Sequence, residues 1–170
     1  GGVRFILEVD VSAAIRQRLD SYAGDFNKLL RDNRIRRSIS VTGDEVLIRL
    51  PDAADADRAE ELIRDSDPNL GLERRESGGS VVLVAQMTPV QVTERQDFAI
   101  QQNVTTLRNR VNELGVAEPV VQRQGVDRIV VQLPGVQDPA QAERVLGATA
   151  TLEFRLVCDD ENPLEAERTG

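Results

Sequence analysis

GDEVLIRLPDAADADRAEELI (residues 43–63) and GVDRIVVQLPGVQDPAQAERVL (residues 125–146) are two versions of one segment. With one residue inserted after the glycine they align at an offset of 83. Asp44 then meets Asp127, and Val46-Leu47-Ile48 meets Ile129-Val130-Val131. Leu50-Pro51 meets Leu133-Pro134, Asp55 meets Asp138, Ala59-Glu60 meets Ala142-Glu143, and Ile63 meets Leu146. Each copy reads as a β-branched strand stopped by a proline, which has no N–H for a ladder. A short helix then opens at an aspartate, a good N-cap type, and in the second copy Pro139 takes its first position. An internal repeat of this length makes the chain a duplicated unit.

Working outwards, Gly1-Gly2 ahead of VRFILEVDV matches Gly78-Gly79 ahead of SVVLVAQMT. Both are strand-length runs. In the first, Val3, Phe5, Leu7 and Val9 share one face by alternation, with Ile6 the exception. A helix follows each. Ile15, Leu19, Tyr22, Phe26 and Leu29 form one apolar stripe, and Ile100, Val104, Leu107, Val111 and Leu114 form the other. Ser12 and Thr93 read as N-caps, Thr93 with Gln96 as a capping box. Asn33 and Gly115 stand where a left-handed C-terminal residue is wanted. Hairpins come next: 38–42 and 45–50 around Gly43-Asp44, and 119–124 and 127–133 around Gly125-Val126. Fourth strands are expected at 71–76 and 150–157, with Ser77-Gly78-Gly79 turning from one copy into the next.

The predicted fold is therefore α+β: two consecutive ferredoxin-like βαββαβ units, antiparallel sheets with helices on one face. Right-handed crossovers put each leading strand centrally, with the second and fourth strands at the edges. The units are expected at 1–77 and 78–157, followed by a polar tail, 158–170. Gly78, Gly79, Gly115, Gly125 and Pro134 are the structurally demanding positions. Whether the sheets are separate, share an edge or exchange their similar leading strands stays open.

The composition is that of an ordinary globular chain, 40% hydrophobic and 29% charged, but only 3% aromatic, so the core must be aliphatic. A net charge of −8 repels phosphate backbones and argues against nucleic acid as a partner. An RNA-recognition reading of the same topology fails as well, because base stacking needs central-strand aromatics and only Phe5 is at hand. With no histidine and Cys158 as the single cysteine, a zinc site of the usual type, an intrachain disulfide and histidine acid–base chemistry are all excluded. Catalytic, cofactor and metal residues are each expected to be none. No stretch reaches membrane-span length and no signal peptide is visible. The chain opens on Gly1-Gly2 and closes on a polar tail, which reads as a piece of something longer.

Three charged or polar clusters need a reading. Asp52, Asp55, Asp57, Glu60 and Glu61 gather over a helix start, where negative charge suits the dipole. Arg34, Arg36 and Arg37 sit where a helix ends, again dipole-compatible, with phosphate binding a distant second. Asn103-Val104-Thr105 is a sequon inside a helix and reads as chance.

LRNRVNELGVAEPVVQRQGVDRIVVQLPG (107–135) and LGATATLEFRLV (146–157) closely resemble the SecD family of bacterial protein-export membrane proteins. Gly1-Gly2 with VRFILEVD looks like the end of that family's DLRGG motif, and the likeness runs over residues 1–157. The resemblance implies an amino-terminal part of the first periplasmic domain, mostly its base, with the tail leading towards a head region. It implies work beside SecF and the SecYEG channel in proton-motive-force-driven export. The expected contacts are weak ones with unfolded exported polypeptide, on the periplasmic side of the inner membrane, with membrane attachment only through helices outside this stretch. A generic protein–protein scaffold and a small-ligand regulatory domain of paired units are the competing readings. An enzyme is the weakest, since no activated nucleophile or acid–base pair is offered.

Overall fold

A computed structural model describes residues 2–147 and the backbone pairing of 152–153. In chain order the elements are β1 (Gly2–Val9), α1 (Val11–Asp32), β2 (Ser38–Thr42), β3 (Glu45–Leu50), a 3₁₀ turn (Ala53–Asp55), α2 (Ala56–Ser66), β4 (Gly71–Ser77), β5 (Ser80–Gln86), α3 (Pro89–Glu113), β6 (Val120–Gln124), β7 (Arg128–Pro134), α4 (Pro139–Leu146) and β8 (Leu152–Glu153). They form two antiparallel four-stranded sheets, ordered β6-β7-β1-β8 and β2-β3-β5-β4. Each has the ferredoxin-like order, with one leading strand central. The fourth strand expected at 150–157 is described only at Leu152–Glu153, and Cys158 and the 158–170 tail lie outside the described residues.

The leading strands are exchanged. β1 pairs with β7 of the second copy, and β5 pairs with β3 and β4 of the first. The reason is the connection between β4 and β5. Ser77 pairs with Ser80 across Gly78-Gly79, whose φ values are +58° and +83°. A two-residue loop with both central residues left-handed matches the twist of a hairpin, so it holds β5 beside β4. The compact units accordingly differ from the consecutive halves 1–77 and 78–157. One is continuous, Ser12–Asp97. The other is discontinuous, built from the described residues of Gly1–Val11 and Phe98–Gly170.

Register also corrects the alignment of the two leading strands. Ile48 pairs with Leu83 and Val131 with Phe5, so Phe5 is the counterpart of Leu83, an offset of 78. Matching the Gly-Gly pairs gives 77, and an odd shift would turn every core side chain to the other sheet face. Val81, Leu83 and Ala85 do stand on the same face of their sheet as Phe5, Leu7 and Val9 do on theirs, all buried.

In the continuous unit, Val46, Ile48 and Leu50 of β3 and Val81, Leu83 and Ala85 of β5 form a buried floor. Leu19, Tyr22, Phe26 and Leu30 of α1 and Ala56, Ala59 and Ile63 of α2 cover it. The α1 stripe ends on Leu30, fully buried, and not on Leu29. The helix terminates in a Schellman arrangement: the Ile35 N–H donates to the Leu30 carbonyl (2.9 Å) and the Arg34 N–H to that of Arg31 (2.9 Å). Arg34, at φ +59°, is the left-handed residue; Asn33 stays one position earlier and donates from Nδ2 to the Leu29 carbonyl. Ile35 and Leu30 join the same core.

In the discontinuous unit the buried set is Phe5, Leu7 and Val9 of β1, Ile129, Val131 and Leu133 of β7, and Ile100, Val104, Leu107 and Val111 of α3, closed by Ala142 and Leu146 of α4. Helix α3 starts a turn earlier than its stripe suggested. The cap is Thr88, not Thr93: the Gln91 N–H donates to Thr88 Oγ1 (3.2 Å) and the Thr88 N–H to Gln91 Oε1 (3.0 Å). This is a capping box with Pro89 in the first helical position. In the first copy Asp52, not Asp55, does the capping, accepting from the Ala54 N–H (3.1 Å) ahead of the 3₁₀ turn. Asp138 caps α4 in the same way.

Candidate functional site

The positions singled out in the sequence are turn and contact positions. Gly115 follows α3 at φ +68°, and Gly125 sits in the β6–β7 hairpin at φ +70°. Pro134 ends β7 and pairs with Gly2, where a Cβ would lie only 3.1 Å from the Leu133 oxygen and from Pro134 Cα. Glycine at residue 2 is thus what lets the chain pass so close to the β7 end.

The acidic run at 52–61 is engaged in structure. Asp57 and Glu60 meet Arg74 at 2.5 and 3.6 Å, Glu76 meets it at 3.2 Å, and Glu60 also holds Arg64 at 2.8 Å. Three carboxylates around Arg74, led by the Asp57 bond, push its guanidinium pKa further up, so it stays charged. Among the described residues no three His, Cys, Asp or Glu side chains converge as a metal site would need. Asn103 of the sequon is buried, its amide donating to the Ala99 carbonyl.

The sheet edges differ from one another, and this is the feature with functional content. On β6, both Nε and Nη2 of Arg108 donate to the Val121 carbonyl (3.3 and 3.1 Å). On β4, Ser77–Ser80 closes a two-residue turn, so Leu72, Arg74 and Glu76 turn their backbone groups outwards. Arg64 Nη2 reaches the Leu72 carbonyl at 3.4 Å. On β2, Thr42–Glu45 closes the Gly43-Asp44 turn, so Ile39 and Val41 present their N–H and C=O groups outwards. Among the described residues nothing pairs them.

Beside that edge lies a shallow depression of about 300 Å³ bordered by Arg36, Arg37, Ser38, Arg49, Ser80 and Val82. Register explains the grouping: Ser38 pairs with Arg49 and Arg49 with Val82, one row across the face opposite the helices. Arg37 donates to Asn27 Oδ1 (2.9 Å) and to the Ile35 carbonyl (3.3 Å), both neutral. Among the described residues no carboxylate pairs with Arg36 or Arg49. Sequence reading found Arg34, Arg36 and Arg37 as a run but missed Arg49, which only strand pairing brings to them. Arg34 instead serves the helix end.

A model of the family described as "Protein translocase subunit SecDF, P1 domain, N-terminal" matches residues 100–159. Over 170 residues, 99% of this chain, the sequence is 44% identical to "Protein translocase subunit SecD" of Pseudomonas aeruginosa. The chain belongs to the SecD family. A SecD of Escherichia coli K12 is 46% identical over 161 residues, and one from Calditerrivibrio nitroreducens 34% over 172. The Pseudomonas match takes in both repeats. The chain spans 27% of the Pseudomonas SecD and 25% of the Escherichia one, about a quarter of their length. Among its described residues no helix is long and apolar enough to cross a membrane.

Proposed function

We propose that this chain is a platform in the first periplasmic domain of a Sec translocon accessory subunit. The full-length protein would act with SecF and the SecYEG channel to draw exported chains across the inner membrane at the expense of the proton-motive force. The observation that carries the reading is identity of 44% with a translocase subunit along 99% of the chain, through both ferredoxin-like units. The platform carries out no bond chemistry. It supplies two aliphatic-cored sheets that hold position.

Its contact with the exported polypeptide is weak and backbone-directed. An unfolded chain offers no fixed side-chain pattern, and the backbone groups of a sheet edge can pair with any extended stretch, side chains only adjusting the strength. Titrating the isotope-labelled chain with a urea-unfolded secretory precursor after dilution tests this. Amide shifts at millimolar precursor are expected. Their complete absence removes the polypeptide contact and leaves a platform alone.

A further inference from the structure

We propose that β2 is the edge that takes the extended polypeptide, and that Arg36 and Arg49 hold a carboxylate of the segment docked there. This rests on the polypeptide contact proposed above and specifies its place and chemistry.

Two observations set β2 apart from β4 and β6, the other edges whose strands are fully described. Arginine side chains occupy outward carbonyls on β4 (Arg64 on Leu72) and β6 (Arg108 on Val121), which blunts both edges against strand addition. At β2 the outward N–H and C=O groups of Ile39 and Val41 have no partner among the described residues. Their side chains are turned inwards, packed on the core, so the edge is held rigid. Side chains on the other face of β2 are Ser38, Ser40 and Thr42, small enough to leave room for a neighbour's side chains.

Charge selects the occupant. In a chain of net charge −8, three arginines without carboxylate partners border one depression beside this edge. An added strand would lie about 4.8 Å beyond β2 and about 10 Å from β3. Arg49 reaching over Ser38 and an Asp or Glu reaching back span that gap. The guanidinium fork suits a carboxylate bidentately. The occupant is thus an extended segment with acidic residues at alternate positions. A lipid phosphate would use the cations but not the neighbouring backbone groups.

The test is a titration of the ¹⁵N-labelled chain with three capped peptides. One alternates Thr and Val with Asp at two alternate positions. The second has Asn for Asp, and the third is the Asp peptide N-methylated on alternate amides. Expected are shifts centred on the Ile39 and Val41 amides, binding about tenfold weaker with the Asn peptide, and loss with the N-methylated one. Arg36→Ala with Arg49→Ala should reduce the Asp peptide to the affinity of the Asn peptide, at an unchanged melting temperature, since both side chains are exposed.

Shifts centred on another edge overturn the β2 assignment while sparing the polypeptide contact. Silence with all peptides and with the unfolded precursor overturns both. Equal binding of Asp and Asn peptides removes the carboxylate. Concentration-dependent β2 shifts without peptide would make a second copy the occupant, against the proposal. So would arginine-dependent sedimentation with phosphatidylglycerol vesicles in the absence of peptide shifts.

Discussion

Tyr22 is the chain's single tyrosine and there is no tryptophan, so its phenol can be followed by absorbance alone. It is 6% exposed, stacks on Phe26 with centroids 5.7 Å apart, and donates to Asp67 Oδ2 at 2.8 Å. Burial first, and then the bond to Asp67, raise its pKa above the usual 10.0, while the Arg18 guanidinium 4.5 Å above the ring opposes them. The folded state therefore keeps the proton better than the unfolded chain does. The stabilisation is full below pH 10.0 and is lost as pH rises through the folded value. A spectrophotometric titration should give a midpoint above 10.0 that falls in Asp67→Asn and rises in Arg18→Ala; a native midpoint at or below 10.0 contradicts this placement. Two helix ends make a mirrored pair. Gly115 has φ +68° with nothing within 4 Å of an added Cβ, so Gly115→Ala should cost about 1 kcal/mol through backbone strain alone. Arg34 pays that strain already at φ +59°, so Arg34→Gly should gain roughly 0.5–1 kcal/mol in urea unfolding. These residues were partly legible. A glycine after an apolar stripe marks a helix end, but Asn33 drew attention from Arg34 because αL tolerance favours Asn, whereas here burial of Ile35 on Leu30 fixed the stop one residue later.

Elements were the more legible scale, since caps, turns and periods are local. The first hairpin lies where its Gly-Asp turn put it, 38–42 and 45–50. Helix α3 shows how a local signal can be misplaced: two Thr-x-x-Gln patterns compete five residues apart, and only the first has proline behind the threonine. Thr88→Ala should lose about 1 kcal/mol because the Gln91 N–H loses its acceptor, although the backbone N–H at 88 still reaches Gln91 Oε1, while Thr93→Ala, on an exposed face, should stay within about 0.5 kcal/mol. Equal losses in chemical denaturation would contradict the cap assignment. The candidate edge was less legible. The Arg34–Arg37 run is visible in the sequence, but Arg49 is twelve residues from Arg37 and joins it through the Ser38–Arg49 pairing. The arginines on β4 and β6, Arg64 and Arg108, meet those edges only through the tertiary fold.

At the scale of the whole molecule, the exchange of leading strands decides what can fold alone. Residues 12–97 contain α1, β2, β3, α2, β4 and β5, a complete sheet with its central strand. Residues 1–77 lack β5, and with it Val81, Leu83 and Ala85 from the middle of the core. A 12–97 piece should melt cooperatively and a 1–77 piece should not. A cooperative melt of 1–77 matching that of 12–97 would mean that β1 can stand in for β5. The sequence by itself determined the duplication, the α+β class, the strand–helix order and the central place of a leading strand, because hydrophobic period and turn chemistry act over a few residues. It did not determine which leading strand completes which sheet, nor which of the described edges β2, β4 and β6 is left open. β1 and β5 carry the same alternating apolar face, and backbone ladders do not distinguish them. Tertiary structure made that choice through a tether: two left-handed glycines hold β5 beside β4, so β5 takes the place between β3 and β4, and β1 completes the other sheet.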